Sequence, residues 1–135
     1  MKIAYNGCYG GFSLSPLATH EIAKRKGITL TWYKTEGYRP TVYIRLDGVP
    51  TDNRIYGNQA FTEDFGETSN EYPKDSYHYP DYDRTDEDLI AVIEELGEKA
   101  NGPHANLGIE EIPNGAEWEI DEYDGRNLAV IVMNL

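Results

Sequence analysis

The chain opens Met1-Lys2-Ile3-Ala4-Tyr5-Asn6-Gly7-Cys8-Tyr9-Gly10-Gly11-Phe12-Ser13-Leu14-Ser15-Pro16, and the fold is read outward from this stretch. Lys2 to Tyr5 reads as a short strand and Ser15-Pro16 as a helix start. The Ser15 hydroxyl can accept a first-turn N–H, and Pro16 sits where a missing N–H does no harm. Between them, Gly7 to Ser13 is glycine-rich, which admits positive φ and lets a ligand approach the main chain closely. Strand, glycine turn and helix N-terminus together direct unpaired N–H donors toward one spot, an arrangement suited to a phosphate or carboxylate. An ordinary tight turn needs the same glycines. Neither G-x-G-x-x-G nor the P-loop pattern is present, so no established nucleotide motif underlies the anion reading.

Beyond Pro16 the pattern predicts a helix to about Lys26, with Leu17, Ala18 and Ile22 on one face. Lys24, Arg25 and Lys26 complement its C-terminal dipole, and Gly27 stops it. Ile28 to Tyr33 and Thr41 to Leu46 each alternate apolar and polar residues, predicting two strands joined as a hairpin through Lys34 to Pro40. Ile55 to Phe61 adds a short strand. Thr85 is the expected cap of a second helix, with Asp88 in a capping-box position. Leu89, Val92, Ile93, Leu96 and Ala100 form its apolar stripe, Asp86, Glu87, Glu94, Glu95 and Glu98 its wet face, and Asn101-Gly102-Pro103 its end. Leu107 to Ile112 reads as a strand, Trp118 and Ile120 alternate with acids, and Asp124-Gly125 signals a hairpin. Leu128 to Met133 is continuously apolar, so it is either a central strand or an edge strand covered by another subunit. The expected class is α+β: one domain over residues 1–135, a mostly antiparallel sheet with two helices packed on one face. Residues 62–84 form a polar, tyrosine-rich insertion; such loops are functional or disordered, and its aromatics favour a lid or an oligomer contact over plain disorder.

Composition narrows the function. There are 12 Lys+Arg against 24 Asp+Glu, a formal net charge of −12, which argues against sequence-independent binding to long nucleic acid. A small anion held by a few local donors remains compatible with it, as does a negative face turned toward a basic partner. The single Cys8 has no intramolecular disulfide partner, which fits a reducing cytoplasm. No apolar run has membrane-spanning length and no signal-peptide pattern opens the chain, so the expectation is a soluble protein that is not exported.

The candidate ligand-binding residues are Cys8, Tyr9, Gly10, Gly11, Phe12, Ser13 and Arg84. The turn offers amides and two aromatic faces. Arg39, Arg45, Arg54 and Arg84 stand out because positive charge is scarce, and Arg84 precedes a helix start where unpaired N–H groups reinforce it. Pairing with nearby acids is the simpler role for each. Cys8 and His20 lack a third orienting group for nucleophilic chemistry, and Cys8 reads more simply as a small buried residue at a strand end. His78, Asp81 and Asp83 match no zinc spacing. No catalytic residue, metal or cofactor is therefore assigned.

The opening block, Lys2-Ile3 with Asn6 to Ser15, resembles a family of small bacteriophage and prophage proteins. So do Arg84-Thr85-Asp86, Leu89-Ile90, Val92 to Gly102, Ile109 to Pro113 and Trp118 to Gly125, while residues 34–83 do not match. The family pattern often continues after Asp-Gly into a charged tail, where this chain has the apolar Leu128 to Leu135. The resemblance implies a phage protein in the host cytoplasm. It further implies a non-enzymatic counter-defence "sponge", one that sequesters a cyclic di- or oligonucleotide messenger of CBASS-type immunity. Such a protein needs phosphate donors, aromatic faces for bases and a means to exclude water, and a homo-oligomer supplies the last by sharing sites. The alternative is an acidic inhibitor that covers a basic host surface. A small hydrolase of such messengers needs an acid/base pair that no spacing here provides.

Overall fold

The computed structural model describes residues 1–37, 40–51, 57–70, 76–77, 83–123 and 125–131. In chain order the elements are β1 (Lys2–Asn6), α1 (Pro16–Arg25), β2 (Thr31–Glu36), β3 (Val42–Arg45), β4 (Asn58–Phe61) and β5 (Thr68–Ser69). They continue with α2 (Glu87–Leu96), a 3₁₀ turn (Gly97–Ala100), β6 (Leu107–Glu111), β7 (Trp118–Tyr123) and β8 (Arg126–Ile131). The architecture is α+β and every described strand pairing is antiparallel. The strands divide into two four-stranded sheets, β6-β1-β8-β7 and β4-β2-β3-β5. The second sheet is local in sequence, whereas the first joins the opening strand to the last three.

Helix α1 starts as its sequence predicts: the Ala18 N–H donates to Ser15 Oγ at 3.1 Å, with Pro16 at the first helical position. Ala18 and Ile22 meet Ala4 of β1 and Leu89, Val92 and Ile93 of α2 in one core. Ala23, one residue along, belongs to a separate core with Leu30, Trp32 and Ala60 of the second sheet. Thus α1 is shared between the two halves of the molecule. Its last turn is closed by the Ile28 N–H donating to Ala23 O at 2.8 Å, which holds Ile28 out of the ladder, so β2 begins at Thr31.

Helix α2 differs from expectation at both ends. Its cap is Asp86, not Thr85: Leu89 N–H donates to Asp86 Oδ2 at 3.3 Å, while the Thr85 amide and hydroxyl both donate to Asp83 Oδ1. At Gly97, with φ 58°, the chain tightens into the 3₁₀ turn that buries Ala100. Lys26 and Arg25 at the end of α1 pair with Asp86 and Asp88 at the start of α2 at 3.0–3.3 Å, each charge matching the dipole end it sits on. Those two carboxylates raise the Lys26 pKa. Exposed pairs of this kind are worth about 0–1 kcal/mol each.

The second sheet carries an aromatic cluster of Tyr33, Tyr43, Phe61 and Phe65. Phe65 lies in the expected insertion, yet it stacks on Tyr33 with ring centroids 4.0 Å apart, and β5 pairs with β3. Part of residues 62–84 is therefore built into the fold. The Tyr33 hydroxyl donates to Asp64 Oδ1 and accepts the Phe65 N–H, and burial pushes its pKa up. Asp64 is held below the usual carboxylate range, first by the Gly66 amide and then by Arg45 at 3.0 Å. Tyr77 packs against the Trp32 core with its hydroxyl buried and without a hydrogen-bond partner among the described residues, and burial raises its pKa as well. Strand β8 lies between β1 and β7 in the sheet order, which favours the central-strand reading, although Asn127 is its one residue in register with β1. Arg39, Arg54, Ile55, His78, Asp81, Asp124, Val132 and Met133 lie outside the described residues.

Candidate functional site

The glycine turn is organised by Asn6, a fully buried polar residue at the end of β1. Its Nδ2 donates to Cys8 O at 2.8 Å and to Gly125 O at 3.0 Å. Its Oδ1 accepts the Asn106 N–H at 2.9 Å and the Cys8 N–H at 3.3 Å. One amide thereby fastens three loops: the turn itself, residues 101–106, and the β7–β8 connection. The buried side chain answers each main-chain group with its complement, as an isolated buried amide must. The sequence reading passed over Asn6; an Asn closing a strand before glycines was the available signal.

From Ser13 onward the chain runs along residues 99–103. Gly102 N–H donates to Ser13 O at 3.0 Å, Ser13 Oγ to Pro103 O at 3.3 Å, and Ser15 Oγ to Lys99 O at 2.6 Å. A Cβ on Gly10 would overlap the Cβ and carbonyl oxygen of His104, so glycine is needed there for close approach. The inner side of the bend is closed. On its outer side Cys8, Tyr9 and Gly10 are exposed, and the amides of Tyr9, Gly10 and Gly11 find no acceptor among the described residues.

The predicted site residues are thus brought together in part. Cys8 is exposed, which corrects the expectation of a buried strand-end residue: Asn6 holds its backbone, and its side chain faces outward. His20 Nδ1 accepts the Trp32 indole N–H at 3.1 Å, so it serves the second sheet's core. Phe12 turns inward, packing on the α1–α2 core, and the Arg84 guanidinium lies 3.8 Å from its ring centroid. Arg84 is also a wedge between strands. β8 meets β1 only at Asn6↔Asn127, and beside that point Ala4 N–H donates to Arg84 O at 2.8 Å. Arg84 Nη1 donates to Asn127 Oδ1 at 2.6 Å. The side chain expected to clamp phosphate therefore also ties β1, β8 and the turn together. Arg45 is on the second sheet with Asp64.

The clefts lined by described residues include two beside the helices. One of about 400 Å³ runs along Pro16, Leu17, Val49, Pro50 and Lys99; the other, about 390 Å³, lies between Lys2 and Glu87, Ile90 and Glu94 of α2. Neither of these two borders residues 8–13. No cluster of metal-ligating side chains occurs among the described residues, and none of their helices is long and apolar enough to cross a membrane. No protein-family model matches the chain, and neither a curated protein nor a solved structure matches it significantly.

Proposed function

We propose that this is a phage counter-defence protein that binds and sequesters a cyclic nucleotide messenger of the host without cleaving it. The reading rests on the amides of Tyr9, Gly10 and Gly11, which find no acceptor among the described residues, with the Tyr9 ring 60% exposed beside them. Adjacent main-chain N–H groups on a glycine turn suit phosphate oxygens without a basic face, which a chain of net charge −12 does not have. Exposed aromatic rings add about 1–3 kcal/mol per stacked base. With Cys8, Tyr9 and Gly10 exposed, one side of such a ligand is left in water, so nanomolar sequestration, about −12 kcal/mol, calls for closure by a second copy. The test is calorimetry against cyclic dinucleotides and cyclic ADP-ribose isomers, followed by heat release of the ligand. Binding with intact ligand recovered supports the proposal; no heat with any of them removes it, and cleaved ligand replaces it with a hydrolase.

A second reading, the acidic inhibitor, is favoured by β7. This edge strand of the first sheet carries Glu119, Asp121 and Glu122 exposed along its length. It predicts protein–protein binding that weakens steeply with salt and is indifferent to nucleotides.

A further inference from the structure

The β7–β8 hairpin is seated on the glycine turn through Gly125. Its φ is 86°, a Cβ there would overlap the Tyr9 carbonyl oxygen, and the same atom would lie 2.8 Å from Gly11 N. Asn6 fixes the contact from below by donating to Gly125 O. Two residues flank this contact. Tyr123 and Arg126 are register partners in the β7–β8 ladder, so their side chains rise from the same face of the hairpin.

Their exposure is unusual for this molecule. Tyr123 is 74% and Tyr9 60% exposed, the two large hydrophobic side chains left in water among the described residues, and both adjoin the same loop contact. Arg126 is exposed and makes no ion pair among the described residues. Lys24 and Lys99 also form no ion pair among the described residues, whereas Lys2, Arg25, Lys26, Lys34 and Arg45 each pair with a carboxylate and Arg84 is bonded to Asn127; Arg126 is thus the one arginine of the described residues without an acid or amide partner. An exposed arginine without an acid partner, on a chain of net charge −12, contributes nothing visible to the fold.

We propose that Arg126 and Tyr123 complete the turn site, Arg126 taking a phosphate whose other oxygens meet the Tyr9–Gly11 amides, with Tyr9 and Tyr123 stacking on planar rings of the same ligand. This rests on the messenger-binding reading and adds to it the hairpin, which makes the site a product of the two ends of the chain. It also narrows the ligand class. Glu119 and Asp121 alternate with Tyr123 on the same face of β7, so like-charge repulsion favours a singly charged phosphodiester over a doubly charged terminal phosphate.

The experiment is calorimetry of the full chain with 3′,3′-cyclic GMP–AMP and cyclic di-GMP, with a 5′-mononucleotide as comparison, alongside amide NMR spectra. Expected results are a weaker response to the mononucleotide and shifts of the Gly10, Gly11 and Tyr123 resonances with the cyclic ligands. Arg126→Gln should weaken binding about ten- to a hundred-fold and Tyr123→Ser about ten-fold, both with unchanged melting temperature. If the parent chain binds and Arg126→Gln binds equally well, the hairpin contribution is overturned while the messenger reading stands. If the parent chain neither binds these probes nor shifts its turn amides, both are overturned.

Discussion

Replacing Asn6 by Ala tests the loop junction most directly. The amide makes four hydrogen bonds, to Cys8 O, Gly125 O, Asn106 N and Cys8 N. At about 0.5–1.5 kcal/mol each, their removal sets a range of about 2–6 kcal/mol. Two features reduce it. Gly125 O keeps a second donor, Asn127 Nδ2 at 3.0 Å, and Cys8 and Asn106 lie where water can reach them. The expected cost is therefore about 2–4 kcal/mol, or roughly a 10 °C fall in Tm for a chain of this size. Urea unfolding followed by the fluorescence of Trp32 and Trp118 measures it as a shift in midpoint at constant slope. Asn6→Asp at neutral pH should cost at least as much, since a carboxylate oxygen then faces the carbonyls of Cys8 and Gly125. A cost for Asn6→Ala below about 1 kcal/mol would refute the assignment of Asn6 as the fastening of the three loops.

Gly10→Ala should destabilise by about 2 kcal/mol or more, because its Cβ overlaps His104 main-chain atoms; a thermal melt within a degree of the parent contradicts this. Arg84→Gln, losing the charge-assisted bond to Asn127 and the contact over Phe12, should cost about 2–3 kcal/mol in the same urea assay. Tyr77→Phe removes a buried hydroxyl without a partner among the described residues and should stabilise at neutral pH by about 1 kcal/mol; a destabilised variant would mean that the hydroxyl is satisfied in solution. Raising the pH should weaken the fold. Tyr33, Tyr77 and Lys26 all have folded pKa values above their ordinary ones, so unfolded chains lose these protons first. The stability they contribute is complete below about pH 10 and is lost as pH rises through the folded values, a decline that Tm measured upward from about pH 8 would reveal and Tyr77→Phe would lessen.

The local elements were legible because their signals are chemical and short-range. Ser15-Pro16 announced α1 and the Leu89–Val92–Ile93 stripe announced α2; alternation marked β3 and β7, and β2 three residues too early. What sequence did not reveal depends on contacts between distant residues. The partition into two sheets follows from β1 pairing with β6 and β8, which no local pattern encodes. Asp86 displaced Thr85 as a cap because Asp83 occupies the Thr85 hydroxyl, and Phe65 left its apparent loop because Tyr33 offers a ring to stack on. At the candidate site, Arg84 was legible as a scarce cation before a helix start, but its place against Phe12 of the turn was not. Asn6 and Arg126 were passed over because their meaning lies in who stands opposite them, not in who precedes them.

Asn6 and Gly125 bond to each other from 119 positions apart in the chain. During synthesis the opening strand therefore emerges long before its partners in β6 and β8 exist, while β2 to β5 can already assemble on their own pairings. Ribosome-bound intermediates should keep Ile3 accessible to chaperones until the final hairpin arrives, because its cover is completed by Ile112 and by Ala129 of β8.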